Sequence, residues 1–314
     1  MPDAVSELPA SVRAALAPTP DAAVARAFTR RLAHSHYENF SVVSLLLPGT
    51  LRQDFCNIYA FCRTADDLGD ELGDAQRSLA ELERLAERTR DCFAGRAVCA
   101  LFVALADTIR RHDLPIQPFL DLIDAFKQDQ RVRRYETFDQ LRDYCRRSAD
   151  PVGRLVLYLC GYRDEQRQAL SDQTCTALQL ANFWQDIRRD LLERDRIYLP
   201  RQSMELFGVD EGELRRQIMA AQAGENVRRL IRHEVDRTAE FFARSEALLP
   251  LLRPRVRRQI ALFGQGGRAV LRAIRRQNYD TLSRRPALSK WQKGRLIAGV
   301  LAGPVSRFLG GGAA

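Results

Sequence analysis

In the stretch YAFCRTADDLGD, Tyr59, Arg63, Asp66 and Asp70 follow one another at spacings of four, three and four. At about 100° per residue these side chains share one stripe of an α-helix, while Ala60, Phe61, Ala65 and Leu68 take other angles and can pack. A second stretch, QLANFWQDIRRD, repeats the device with Gln179, Asn182, Asp186 and Asp190. One acidic stripe alone is usually a solvated face. Two copies, each with Arg, Gln or Asn beside the acids, suggest that the faces meet around one hollow. Four carboxylates there would repel by ~4 kcal/mol per close pair at an effective dielectric of about 20. A cation is required, and Mg²⁺ suits because it takes oxygen ligands and bridges carboxylates to phosphates.

The rest of the chain agrees with an all-α fold. Segments 75–94 and 97–113 carry apolar residues at i, i+3, i+4, punctuated by Gly95 and Pro115, and no stretch alternates long enough to be a strand. Asp21 is an expected N-cap, and Gly73 an expected stop for the first aspartate helix. Helices are also expected over 115–134, 225–248 and 253–278. On the first of these, Asp121, Asp124 and Asp129 read as a solvated face, with Gln128 and Asp129 kept as supports behind the site. Residues 1–20, with four prolines, read as a flexible lead-in, 21–288 as one helical domain, and 289–314 as a basic and apolar tail.

Net charge is +9 and comes from arginine, since Lys127, Lys290 and Lys293 are the only lysines. Such a surplus favours an anionic partner: nucleic acid, a diphosphate or an anionic membrane. Between 253 and 295 thirteen Arg or Lys face one acid, Asp280, but aromatic residues are too sparse there for a strong nucleic-acid signal. Trp291 among Lys290, Lys293 and Arg295 suits peripheral contact with an anionic bilayer. Seven cysteines without a CxxC pair point to reduced, buried thiols and a cytoplasmic setting, with the tail's peripheral contact then falling at the inner face of the membrane. The N-terminus lacks the pattern of a signal peptide, and no apolar run reaches the ~18 residues of a spanning helix. No histidine has Glu three residues before it, which argues against a di-iron bundle.

YAFCRTADDLGD and QLANFWQDIRRDLLERDRIYLP resemble the two aspartate-rich motifs of the squalene and phytoene synthase family, the head-to-head trans-isoprenyl diphosphate synthases. YCRRSADPVG, from Tyr144 to Gly153, is similar to that family's middle motif. With HYENF and YDTLSRR, the resemblance covers roughly residues 34–290. It implies a single-domain isoprenoid-synthase helical bundle around a central cavity, a prenyl diphosphate substrate, Mg²⁺ on Asp66, Asp70, Asp186 and Asp190, and neither NADPH nor FAD. It further implies catalytic roles for Tyr59, Tyr144 and Arg63, and diphosphate contacts from His36, Asn39, Arg63, Gln179, Asn182 and Arg196. Asp150, Pro151 and Gln185 depart from the usual motifs in a way that resembles the bacterial hydroxysqualene synthase branch, which converts presqualene diphosphate and water to hydroxysqualene. Condensation to presqualene diphosphate, squalene or phytoene stays open, as does a non-enzymatic, basic nucleic-acid-binding protein. Pro151 is expected to bend a helix running through the middle motif.

Overall fold

The computed structural model describes residues 8–35, 49–289, 291, 292, 294, 295, 298 and 299. His36 and Asn39 lie outside the described residues. Among those described, the regular structure is helical, with no strand beyond two isolated bridges. No described helix is long and apolar enough to cross a membrane. The chain divides into two compact units, Met1–Val132 with Pro151–Glu165, and Arg133–Asp150 with Gln166–Ala314.

The first unit is organised on α3 (Arg52–Asp70), which touches α1 (Ala10–Leu16), α2 (Ala22–Ser35), α4 (Ala75–Phe93), α5 (Ala100–His112) and α6 (Gln117–Asp129). The residues off its polar stripe make the core: Phe61 meets Phe119 edge-on at 4.9 Å and Phe102 at 6.3 Å. A polar layer accompanies them. The Asn57 amide donates to the Ala104 carbonyl and Thr108 Oγ1, each at 2.9 Å, and accepts from Thr29 and Gln53. All its capacity is used, so its burial carries little desolvation penalty. Asp54, also buried, accepts from Thr108 and Arg111 and contacts His112. Asp21 and Gly73 act as the sequence implies: Asp21 accepts from Ala23 N at 2.7 Å, and Gly73, at φ 69°, follows the helix end in the left-handed region.

Three expectations need correction. The lead-in is not wholly flexible, because α1 buries Val12 and Ala15 and residues 17 and 19 exchange backbone bonds with 98 and 100. Asp129 does not lie on a solvated face; it is buried near the end of α6. Pro151 does not bend one long helix. α7 (Phe138–Ser148) stops, Ala149 leaves helical geometry at φ −125°, and α8 (Asp150–Leu159) begins. Pro151 sits in the first turn, where its missing N–H removes no hydrogen bond.

The second unit is built from α7, α9 (Glu165–Arg194), α10 (Arg201–Leu206), α11 (Glu211–Met219), α12 (Glu225–Ser245) and α13 (Pro254–Arg276). Trp184 is fully buried, and its indole N–H donates to Thr238 Oγ1 at 2.8 Å. Gly267 lets α13 approach closely: a Cβ there would strike Phe242 and Leu178.

Candidate active site

In the first unit, the stripe of α3 has the composition read from the sequence, but an unexpected acid anchors it. Arg63 reaches Asp66 at 3.2 Å, Asp67 at 2.5 Å and Glu71 at 2.8 Å. Asp67 is almost fully buried and also accepts from Ser11 at 2.7 Å, tying α1 to α3. Sequence reasoning passed over Asp67 because its angle puts it off the stripe. Its role is to fix the guanidinium, leaving Asp66 and Asp70 half-buried and accessible. Tyr59 is half-buried, and desolvation raises its phenol above the ordinary range although Arg63 opposes this.

In the second unit, α9 carries a stripe whose burial changes along its length. Asn182 is exposed, Gln179 and Asp186 are intermediate, and Asp190 is 8% exposed. Asp190 and Arg196 share a small hollow with Phe183, Ile187 and Tyr198. Burial, and then the charge of Asp186, push the Asp190 carboxyl up to about 7, against the pull of Arg194, Arg189 and Arg196. Asp186 is held by Arg285, whose Nε donates to Oδ1 and whose Nη2 donates to Oδ2 at 3.0 Å. Arg285 is a residue the sequence reading did not single out, although it belongs to the quoted YDTLSRR. Its neighbour is tied down as well, because Gln185 donates to the Pro286 carbonyl. Gln185, a departure from the family pattern, thus anchors the segment that brings Arg285 to Asp186.

Tyr144 is buried in a cluster of rings. Tyr198 stacks on Phe183 at 3.8 Å and 11°, Tyr135 stacks at 5.9 Å on Tyr198, and Tyr144 lies 5.7–6.2 Å from all three. The segment holding Arg196 and Tyr198 is fastened from outside. Ile197 N donates to the Arg133 carbonyl, and Arg134 bonds Asp195 at 2.9 Å and Glu211 at 2.8 and 2.9 Å.

The profile of the family described as squalene/phytoene synthase matches residues 33–292. The chain belongs to that family. Its members are isoprenoid synthases, so the acidic helices belong to an enzyme scaffold. The chain is 48% identical to squalene synthase HpnC from Alicyclobacillus acidocaldarius, with a TM-score of 0.76 over 88% of this chain and 99% of that one. It is 39% identical to the hydroxysqualene synthase of Zymomonas mobilis over 57% of this chain and 60% of that protein. Phytoene synthase of Arthrospira platensis is 31% identical over 84% of this chain and 88% of that protein. The fold is also that of a dehydrosqualene synthase solved with a ligand, at TM-score 0.80 and 24% identity over 90% of this chain and 96% of that one.

Among the described residues no three His, Cys, Asp or Glu side chains converge into a ready metal cage. Mg²⁺ needs none, since it takes one or two carboxylates and completes its shell with water and phosphate oxygens. Asp186 and Asp190 fit that demand: an all-oxygen pair one helical turn apart, with Asp190 lifted first by burial and then by its neighbour's charge.

Proposed function

We propose that the chain converts presqualene diphosphate and water to hydroxysqualene and diphosphate. The carbon–oxygen bond to the diphosphate breaks, water adds to the carbocation, and the added water loses a proton. Supporting this over condensation are the 39% identity to the hydroxysqualene synthase of Zymomonas mobilis and the resemblance of Gln185, Asp150 and Pro151 to the hydroxysqualene branch. Asp66, Asp70, Asp186 and Asp190 are the proposed holders of Mg²⁺. Bound there, the metal supplies positive charge to the departing diphosphate.

This chain's own residues do the remainder. Arg196, buried beside Asp190, is the proposed donor to phosphate oxygens, and Arg285 would add a second guanidinium next to Asp186. The rings of Tyr135, Tyr144, Phe183 and Tyr198 offer π-faces to a cation and form a wall that excludes bulk water. Gln179, Asn182, Tyr59 and Arg63 remain proposed substrate contacts, as do His36 and Asn39.

The test is product analysis of the purified protein supplied with Mg²⁺ and presqualene diphosphate. Hydroxysqualene and diphosphate in equal amounts, without NADPH, are expected. Turnover of farnesyl or geranylgeranyl diphosphate, with presqualene diphosphate left untouched, would overturn the product assignment in favour of condensation, the reaction named for the phytoene synthase relative. Asp66→Asn and Asp190→Asn should each lower turnover by about 10³-fold, the scale of losing preorganised charge stabilisation. A variant that turns over at the full rate removes that aspartate from the proposed metal set.

A further inference from the structure

On α13, Gln265, Arg272 and Arg276 line a cavity of about 440 Å³ that Leu288, Gln292 and Arg295 also border. Among the described residues no carboxylate lines it. Two other arginines of the same helix are paired with acids: Arg268 with Glu246 at 2.6 Å, and Arg275 with Asp236 at 2.9 Å. Among the described residues, Arg272, Arg276 and Arg295 have no such partner. Arg272 sits below the ordinary guanidinium range, through desolvation first and then repulsion from Arg276, Arg268 and Arg275. Positive charge is therefore gathered here without internal compensation, in a concave site with two amide side chains able to donate hydrogen bonds. Next to Gln292 stands Trp291, 81% exposed.

We propose that this arginine pocket seats the phosphate of an anionic phospholipid headgroup and, with Trp291, docks the protein on an anionic bilayer. A small free anion would account for the guanidinium groups alone. An indole left in solvent beside them is what an interface uses, since its ring settles at headgroup depth while arginines face the surface charge. The site lies wholly within the second unit and involves none of the residues assigned to diphosphate chemistry.

Vesicle co-sedimentation reads the proposal directly, without turnover, so its outcome is independent of the product assignment. The full chain should bind phosphatidylglycerol-rich vesicles and not phosphatidylcholine vesicles, and raised salt should weaken binding. Arg272→Gln and Arg276→Gln should each weaken it about fivefold, and together about 25-fold, the conversion of roughly 1 kcal/mol per neutralised arginine. Trp emission should shift to the blue on vesicles, and Trp291→Phe should abolish the shift because Trp184 is already buried. All three side chains are exposed, so the variants should melt with the parent protein. Unchanged vesicle binding by the double variant would overturn the proposal. So would a parent protein that ignores vesicles while taking up inorganic phosphate, or one that binds duplex nucleic acid in preference to phosphatidylglycerol.

Discussion

Arg285 shows how a single side chain can matter to chemistry more than to stability. It is 53% exposed and its bond to Asp186 lies near the surface, so removing it should cost under about 1 kcal/mol of folding free energy. Its charge is nevertheless adjacent to a proposed metal carboxylate. Arg285→Gln is therefore expected to lower kcat/KM by about tenfold or more while the melting temperature stays within a few degrees, as read by steady-state kinetics and calorimetry. Equal losses in stability and activity would instead make Arg285 a brace for the segment that Gln185 holds. Asp67 is the complementary case: a buried acid with no proposed contact to substrate, whose bonds to Arg63 and Ser11 decide where the accessible acids stand.

Helix packing in the second unit turns on Gly267. A methyl group there meets the Phe242 ring, whereas the same group at Gly264 meets nothing within 4 Å. Gly267→Ala is expected to destabilise by about 1–3 kcal/mol through overpacking. Gly264→Ala should be neutral or stabilising, because alanine favours the helix. Urea denaturation of the pair checks this, and equal effects would refute the close approach. The loop after α9 depends on charge. Hydrogen bonds from Arg134 and Arg215 hold the Asp195 and Glu211 carboxyls at about 2, below their ordinary 3.8 and 4.5. Carboxyls depressed by folding stabilise at pH values above their unfolded range, and that contribution disappears as pH falls through the folded values. Stability should thus decline between about pH 4.5 and pH 2. Arg134→Gln should flatten that decline and cost about 1 kcal/mol at neutral pH, since these groups are partly exposed. Melting temperatures across the acid range give the answer, and a parallel decline in the variant would contradict it.

At the scale of the molecule, all seven cysteines are free, and Cys56, Cys92, Cys99, Cys145 and Cys160 are buried. Desolvation pushes Cys62 and Cys92 up to about 12 and raises Cys145, so thiolate is scarce at neutral pH. A thiol-specific chromogenic reagent at pH 8 should therefore label at most Cys62 and Cys175 in the native protein and all seven in denaturant. Prompt labelling of the buried five would show a looser fold. Helical periodicity was enough to read the all-α class, the two acidic stripes, the Asp21 cap and the Gly73 stop, because spacings of three and four are properties of a single helix and need no partner. The same logic failed at Pro151, where a residue tolerated only in a helix's first turn marks a new helix, and at Asp129, whose burial depends on what packs over it. The sequence by itself determined which residues lie on one face of each helix. Tertiary structure alone decided that Arg285 would find Asp186, 99 positions away, and that Asp190 would be buried with its charge only partly compensated. Contacts so distant, and the desolvation that follows from them, depend on how helices close on one another, and local spacing carries no record of that.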